Sequence, residues 1–269
     1  MEANASVDLL RLLPPIGRAR GYRLYALDGR RFLDLWQDDG RGILGAKGTG
    51  IGTVVKASVD RGLAMPLPSA WERRLEKAVL AAWPGYAAVR FRPDPAGEPP
   101  EGLLHDPARR AVNPETGEGT SACALLLRPF AEYLPAPPPF DSARLRLPCP
   151  RAFAPIVLLF RDAESASRCA PECVPPMLLA AAAKALAELS GYASTHGEEH
   201  WRRVDRRLSR LFERKGPYLF PRCGAAEYPR LFVAALERGV LLSPRHDLPS
   251  LVPGDFDDGE LKPLAALDI

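Results

Sequence analysis

Lysine is scarce in this chain: of its 36 basic residues only six are lysines, and the net charge is +3. Chemistry that needs a lysine amine therefore has few candidate residues, and the near-balanced charge gives no reason to expect a nucleic acid or an anionic membrane as partner. Long apolar runs are also missing. The longest fall far short of the roughly 18 residues that a membrane-spanning helix needs, which excludes a membrane protein of that kind.

Cysteine is sparse as well, because the chain has five cysteines and no C-x-x-C pair. Cys169 and Cys173 are spaced one helical turn apart, which is compatible with a metal or redox pair, but no further ligands accompany them. We interpret them as incidental thiols. The odd number of cysteines and a start without a basic region predict a reduced, cytoplasmic protein without a signal peptide.

Predicted helices and strands are interleaved along the chain, which predicts an α/β fold. A β-hairpin is predicted within residues 21–36, because Asp28 and Gly29 favour a tight turn between its two strands. Apolar runs predict further strands at 87–92, 122–127, 156–160 and 240–242. Helical spacing, capping boxes and glycine stops predict helices at 51–62, 70–84, 176–189, 195–215, 228–238 and 259–267.

Several of these segments also match a known family in their order along the chain. The matching stretches are 25–35, 43–45, 54–57, 75–79, 89–91, 231–244 and 258–267. They resemble the class III aminotransferases, fold-type I pyridoxal-phosphate enzymes that include glutamate-1-semialdehyde aminomutase. The resemblance implies a reduced version of that architecture. Residues 1–62 and 190–269 would form a small-domain-like lobe, and residues 63–189 a shrunken cofactor lobe with proline-rich loops at 93–121 and 135–139.

The middle of the chain departs from the family pattern. After the strand at 89–91 the family places a Ser-Gly-Thr turn that binds the cofactor phosphate, whereas this chain has Pro93, Asp94 and Pro95. Proline lacks the amide hydrogen that a phosphate cradle uses, and the aspartate repels a dianion. The family also needs a Schiff-base lysine and an aspartate on the pyridine nitrogen. Lys184 and Asp162 are the only candidates for these roles.

From these departures we expect a binding or regulatory pseudoenzyme that uses no cofactor. One alternative is an active pyridoxal-phosphate-dependent aminotransferase or aminomutase that uses Lys184. Family members dimerise, and the helix at 176–189 is apolar all round. We therefore expect a homodimer, or a heterodimer with a full-length relative.

Two further patterns carry alternative functions. His196, Glu199 and His200 fit the inverted zincin order H-x-x-E-H, but no third zinc ligand follows, and acidic residues are common in a first helical turn. A basic stripe between residues 202 and 214 could bind RNA or an acidic partner. Its arginines have acidic residues within helical reach, so a salt-bridged solvent face is the default interpretation. The stripe consists of Arg202, Arg203, Arg206, Arg207, Arg210 and Arg214.

Overall fold

The computed structural model describes residues 9–46, 50–93, 104–110 and 123–267. Most of the loop at 93–121, including Asp94 and Pro95, lies outside the described residues, as does Lys47. The chain divides into two compact units. The first unit comprises Met1–Gly48, Ala108–Glu115 and Tyr192–Ile269, and the second comprises Thr49–Pro107 and Thr116–Gly191.

Strands and helices alternate through both units, and the mixed α/β class predicted from the sequence is confirmed. The strands are β1 (Ile16–Arg20), β2 (Arg23–Ala26), β3 (Arg31–Asp34), β4 (Ala88–Arg92), β5 (Leu125–Leu127), β6 (Ser142–Leu145), β7 (Ile156–Phe160), β8 (Phe212–Lys215), β9 (Tyr218–Pro221), β10 (Val240–Leu241) and β11 (Ser250–Leu251). The helices are α1 (Ile51–Asp60), α2 (Ala70–Ala82), α3 (Ala163–Ser167), α4 (Pro176–Thr195), α5 (Glu198–Arg202), α6 (Asp205–Leu208), α7 (Tyr228–Glu237) and α8 (Asp258–Ala265), with short 3₁₀ helices at Ala131–Tyr133 and Arg151–Phe153.

The first unit is built around the predicted hairpin. Strands β2 and β3 pair antiparallel about the turn at Asp28 and Gly29, where Gly29 has a φ of 87°. β1 adds to one side of the hairpin, and β10 joins β3 in parallel on the other. Glycine at position 239 allows β10 to approach β3 this closely. A Cβ at this positive-φ position would lie 2.9 Å from the Arg31 carbonyl oxygen.

The predicted helix from 195 to 215 is wrong. Thr195 is instead the last residue of α4, and its hydroxyl bonds the carbonyl of Tyr192 rather than capping a new helix. Two short helices follow, α5 and α6, and the chain then turns into β8, which pairs antiparallel with β9. The reason is that Gly216, at a φ of 55°, reverses the chain so that residues 212–215 find their hydrogen-bond partners in a strand.

The second unit contains a four-stranded sheet in the order β4-β7-β6-β5. β7, predicted as a buried strand, is an inner strand that runs antiparallel to both of its neighbours. One face of the sheet packs against α1, α2 and α4. Ile51 and Val55 of α1 belong to this core, so α1 lies in the second unit and not with the N-terminal residues, where the sequence analysis grouped it.

Helix α4 is longer than the predicted span of 176–189, and most of its apolar side chains are fully or partly buried within the same chain. Leu179, Ala181, Ala182 and Ala185 are each no more than 1% exposed and belong to the core of the second unit. This burial accounts for a helix that is apolar on more than one side, so dimer formation stays a prediction. In the described part of the chain, no helix is both long and apolar enough to cross a membrane.

Candidate functional site

The second face of the sheet in the second unit carries arginines. Side chains alternate between the faces of a strand, so Arg90 and Arg92 of β4 lie opposite the core residues Val89 and Phe91. The register extends the pattern across the sheet. Leu158 of β7 pairs with Arg90 on one side and with Arg144 of β6 on the other. Two basic positions therefore flank an apolar one on the same face.

A cavity of about 360 Å³ lies in this unit against that face. Its apolar lining includes Leu158 and Phe160 of β7, and its polar lining includes three arginines, two serines and two cysteines. The described residues of the lining are Arg92, Leu104, Cys123, Ala124, Ser142, Ala143, Arg144, Leu158, Phe160, Ser165, Arg168 and Cys169. These described residues include three cations and no carboxylate.

Acidic residues outside the lining hold two of these arginines in place. Arg92 Nε lies 3.3 Å from Glu172 Oε1, and the same guanidinium donates to Cys169 Sγ at 3.6 Å. Arg168 donates to Glu164 Oε1 at 2.9 Å, four residues away. A guanidinium has five N–H donors, so it can keep an acidic neighbour and bind an additional anion at the same time.

Lys184, the candidate Schiff-base residue, lies on α4 and is not part of the cavity lining. Its Nζ is 3.1 Å from Glu188 Oε1, and its side chain is 40% exposed. The same Glu188 oxygen accepts the backbone N–H of Gly50 at 2.8 Å, directly before α1. The lysine also packs against that glycine, since a Cβ at Gly50 would be 2.3 Å from Lys184 Cε. Lys184 thus helps to fasten the start of α1 to α4.

Asp162, the candidate partner of a pyridine nitrogen, is exposed and caps α3. Its carboxylate accepts the backbone N–H of Ser165 at 2.6 Å and the hydroxyl of the same serine at 2.9 Å. These hydrogen bonds, the backbone one first, lower the pKa of Asp162. The capping role uses both carboxylate oxygens.

The two histidines of the H-x-x-E-H pattern lie side by side in the first unit, with ring centroids 4.8 Å apart. Each donates Nε2–H to a backbone carbonyl: His196 to Gly254 at 3.0 Å, and His200 to Pro253 at 2.9 Å. A nitrogen that carries this hydrogen has no lone pair for a metal. Within the described ranges, no group of three His, Cys, Asp or Glu residues could hold a metal ion, and Glu199 is exposed. The pair is therefore part of a packed aromatic cluster, in which Tyr192 stacks on His196.

His200 should make the stability of the chain depend on pH. Burial lowers the pKa of His200 below the ordinary value of about 6.5. The nearby His196 and Arg203 lower this pKa further, whereas Asp255 raises it. The unfolded chain then binds a proton more readily than the folded one. We expect the free energy of unfolding to have its full value above pH 6.5 and to fall as the pH decreases below 6.5. Melting temperatures between pH 7.5 and 5.5 should decline less steeply for His200→Gln than for the wild type; parallel declines would contradict this role.

The basic stripe does not lie on one helix, because the chain leaves α6 at Leu208. Arg207 forms a salt bridge with Asp258, and Arg214 donates to Asp205 at 2.7 Å and to Glu198 at 2.7 Å. The guanidinium of Arg203 lies 4.7 Å from the ring centre of Phe256. Four of the arginines, Arg202, Arg203, Arg206 and Arg210, are exposed. Arg207 and Arg214 are thus used in salt bridges inside the first unit, and binding of a polyanion by the stripe stays a prediction.

The cavity was not predicted from the sequence. Its signal is the alternation of apolar with polar residues along β4 and β6, where Arg90, Arg92, Ser142 and Arg144 occupy every second position. The strand at 87–92 was predicted, but its polar positions were not connected to other strands. None of the candidate site residues from the sequence is among the described lining residues; Cys169, interpreted as an incidental thiol, is among them, and Cys173 is exposed.

Comparisons with known proteins show the fold. No family model matches the chain. An uncharacterized protein of Treponema pallidum (strain Nichols) is 28% identical over 296 residues, which cover 94% of this chain and 93% of that protein. Glutamate-1-semialdehyde 2,1-aminomutase of Heliobacterium modesticaldum is 36% identical over 76 residues, 28% of this chain and 17% of the aminomutase. The crystal structure of an omega-transaminase from Sphaerobacter thermophilus matches with a TM-score of 0.63 at 14% identity, covering 98% of this chain and 95% of that one.

The chain therefore has the α/β fold of the aminotransferases, as the resemblance implied. The resemblance to the aminotransferases implies pyridoxal phosphate as a cofactor. The described residues do not fit a cofactor that is held covalently. Lys184 is ion-paired on a helix, Asp162 caps α3, and Pro93 ends β4 without an amide hydrogen.

Proposed function

We propose that this chain is a pseudoenzyme with the aminotransferase fold, which binds a ligand and forms no Schiff base. The observation that carries the proposal is the position of Lys184. Its amine pairs with Glu188, and Glu188 in turn holds the backbone of Gly50. A Schiff base requires a deprotonated amine at the aldehyde of an anchored cofactor. An amine held by Glu188 in this structural contact does not have that position.

The lobes fit the same proposal. We propose that the first unit corresponds to the small-domain-like lobe and the second to a reduced cofactor lobe. The second unit retains a sheet covered by helices on one face. Its other face carries arginines and a cavity with no lysine among its described lining residues. Binding at this face needs no lysine chemistry.

The proposal predicts that added pyridoxal phosphate gives no Schiff-base band that depends on Lys184 in the visible spectrum. The alternative of an active enzyme requires Lys184 to leave Glu188 and form that band. The spectra of the wild type, Lys184→Ala and Lys56→Ala should therefore be the same. Lys56 is a matched control, because it is an exposed lysine on α1 of the same unit. A band present in the wild type and in Lys56→Ala but absent from Lys184→Ala would refute the proposal.

A further inference from the structure

We infer that the hairpin of β8 and β9 carries a guanidinium-binding site, which Arg110 of the same chain fills and in which an external guanidinium group can replace it. Arg110 lies in the connection between β4 and β5, in the stretch Ala108–Glu115 that belongs to the first unit together with the hairpin. The inference goes beyond the proposed function, because this site uses neither Lys184 nor the cavity of the second unit.

Three groups of the hairpin surround the guanidinium of Arg110. Its Nη1 donates to the backbone carbonyl of Pro221 at 2.7 Å, and its Nη2 donates to Glu213 Oε2 at 2.8 Å. Its Cζ lies 4.8 Å from the ring centre of Phe220. Glu213 and Phe220 are paired directly across the two strands, so their side chains lie on the same face. A carbonyl, a carboxylate and an aromatic ring together bind one planar cation.

This arrangement favours a guanidinium over an ammonium group. Two nitrogens of one plane serve two acceptors while the flat group lies against the ring. An ammonium group has a single nitrogen and no flat face, so it cannot reproduce all three contacts. The hairpin itself provides a comparison, because Lys215 approaches the same carboxylate and the same ring. Its Nζ is 3.4 Å from Glu213 Oε1 and 5.7 Å from the Phe220 ring centre, farther in both cases than Arg110.

The site is open enough for its occupant to exchange. The side chains of Arg110 and Glu213 are 34% and 43% exposed, and ion pairs this exposed are weak. Release of Arg110 leaves Glu213 with Lys215 as a partner, so the carboxylate is not left without a cation. The backbone N–H of Arg110 donates to the carbonyl of Asp247 at 2.9 Å. Filling the site therefore also holds the backbone of the connection at this residue.

Arg110→Ala empties the site and keeps the groups of the hairpin that form it. Ethylguanidinium should bind to this variant and, in NMR titrations of the ¹⁵N-labelled full chain, cause saturable shifts of the Glu213 and Phe220 amide signals. The wild type should need at least about tenfold more, because a tethered competitor acts at a millimolar effective concentration. Ethylammonium, with the same charge and alkyl group, should bind neither protein. Arg230→Ala, at an exposed arginine of α7 in the same unit, should behave like the wild type.

Glu213→Ala tests the same site with Arg110 in place, which keeps the inference testable if Arg110→Ala does not fold. Loss of this partly exposed ion pair should accelerate hydrogen exchange of the Arg110 backbone N–H about fivefold. Glu237→Ala, at an exposed glutamate of the same unit, should leave the exchange rate unchanged. Equal rates in Glu213→Ala and the wild type would show that the hairpin does not hold Arg110, and would overturn the inference.

Three results of the titrations would also overturn it. Ethylguanidinium could shift neither amide signal of Arg110→Ala at about 100 mM, it could bind the wild type as tightly as Arg110→Ala, or ethylammonium could bind as tightly as ethylguanidinium. Saturable binding of ethylguanidinium that is tighter in Arg110→Ala, and that ethylammonium does not share, supports the site and its ligand class.

Discussion

Replacing Arg128 by methionine is expected to lower the free energy of unfolding by about 3–5 kcal/mol. Arg128 directly follows β5, and its guanidinium donates to both carboxylate oxygens of Asp106, with Nε at 2.7 Å from Oδ1. The two side chains are only 1% and 4% exposed. Removing the arginine leaves a buried carboxylate without this partner, which is far more costly than losing an exposed pair. Urea denaturation followed by circular dichroism measures the loss.

The exposed pair Arg168–Glu164 in the same unit provides the control, since its side chains are 74% and 81% exposed. Glu164→Ala should cost less than about 0.5 kcal/mol. The double variant Arg128→Met with Asp106→Leu should recover most of the lost stability, because the buried carboxylate that Arg128→Met leaves without its arginine is then removed as well. Equal losses for Arg128→Met and Glu164→Ala would show that the buried pair has no special role.

Replacing Leu159 by alanine is expected to lower the free energy of unfolding by about 2–5 kcal/mol. Leu159 lies in β7, is fully buried, and belongs to the core formed with α1, α2 and α4. The smaller side chain leaves a cavity that surrounding β-strands can fill only in part. Leu67→Ala makes the same chemical change in the same unit at a side chain that is 42% exposed. It should cost less than about 0.5 kcal/mol, and a loss equal to that of Leu159→Ala would contradict the described core.

Local signals predicted much of the fold. The hairpin at Asp28 and Gly29 depends on the conformations that these two residues accept, and neighbouring residues encode it completely. In the structure Asp28 also accepts the backbone N–H of Arg30 at 3.0 Å, which stabilises the turn. The helix that ends before Gly239 and the buried strand β7 were predicted for similar reasons. Glycine at a positive φ ends a helix, and a short apolar run between turn signals is typical of an inner strand.

The helix predicted at 195–215 fails because distant residues decide its structure. The apolar residues Trp201, Val204 and Leu208 have helical spacing and are all buried. Phe212 continues that spacing, but it pairs with Pro221 of β9. Arg214 likewise reaches Asp205 and Glu198, nine and sixteen residues away, instead of a partner four residues away. Periodicity alone does not distinguish a fourth helical turn from the start of a hairpin.

The cavity could not be predicted from the sequence for the same reason, because residues from different elements form it. Its described residues come from β4, β6, β7, the segment around α3 and the positions 104 and 123–124, so they are spread along the chain between residues 92 and 169. Each strand shows its own alternation, yet only the register aligns Arg90, Leu158 and Arg144 in one row. A single sequence contains no direct information on which strands are neighbours. The candidate residues that motifs suggested make structural contacts instead. Lys184 forms an ion pair, and Asp162 caps a helix. His196 and His200 bind backbone carbonyls.

The state of Lys184 is tested most directly by incubating the protein with excess pyridoxal phosphate, reducing it with borohydride and mapping the labelled peptides. Because the Lys184 amine is paired with Glu188 at 3.1 Å, we expect only scattered, substoichiometric labelling of exposed lysines, unchanged in Lys184→Ala. One adduct per chain on Lys184, lost in Lys184→Ala, would contradict the proposed pseudoenzyme and identify a working Schiff-base enzyme.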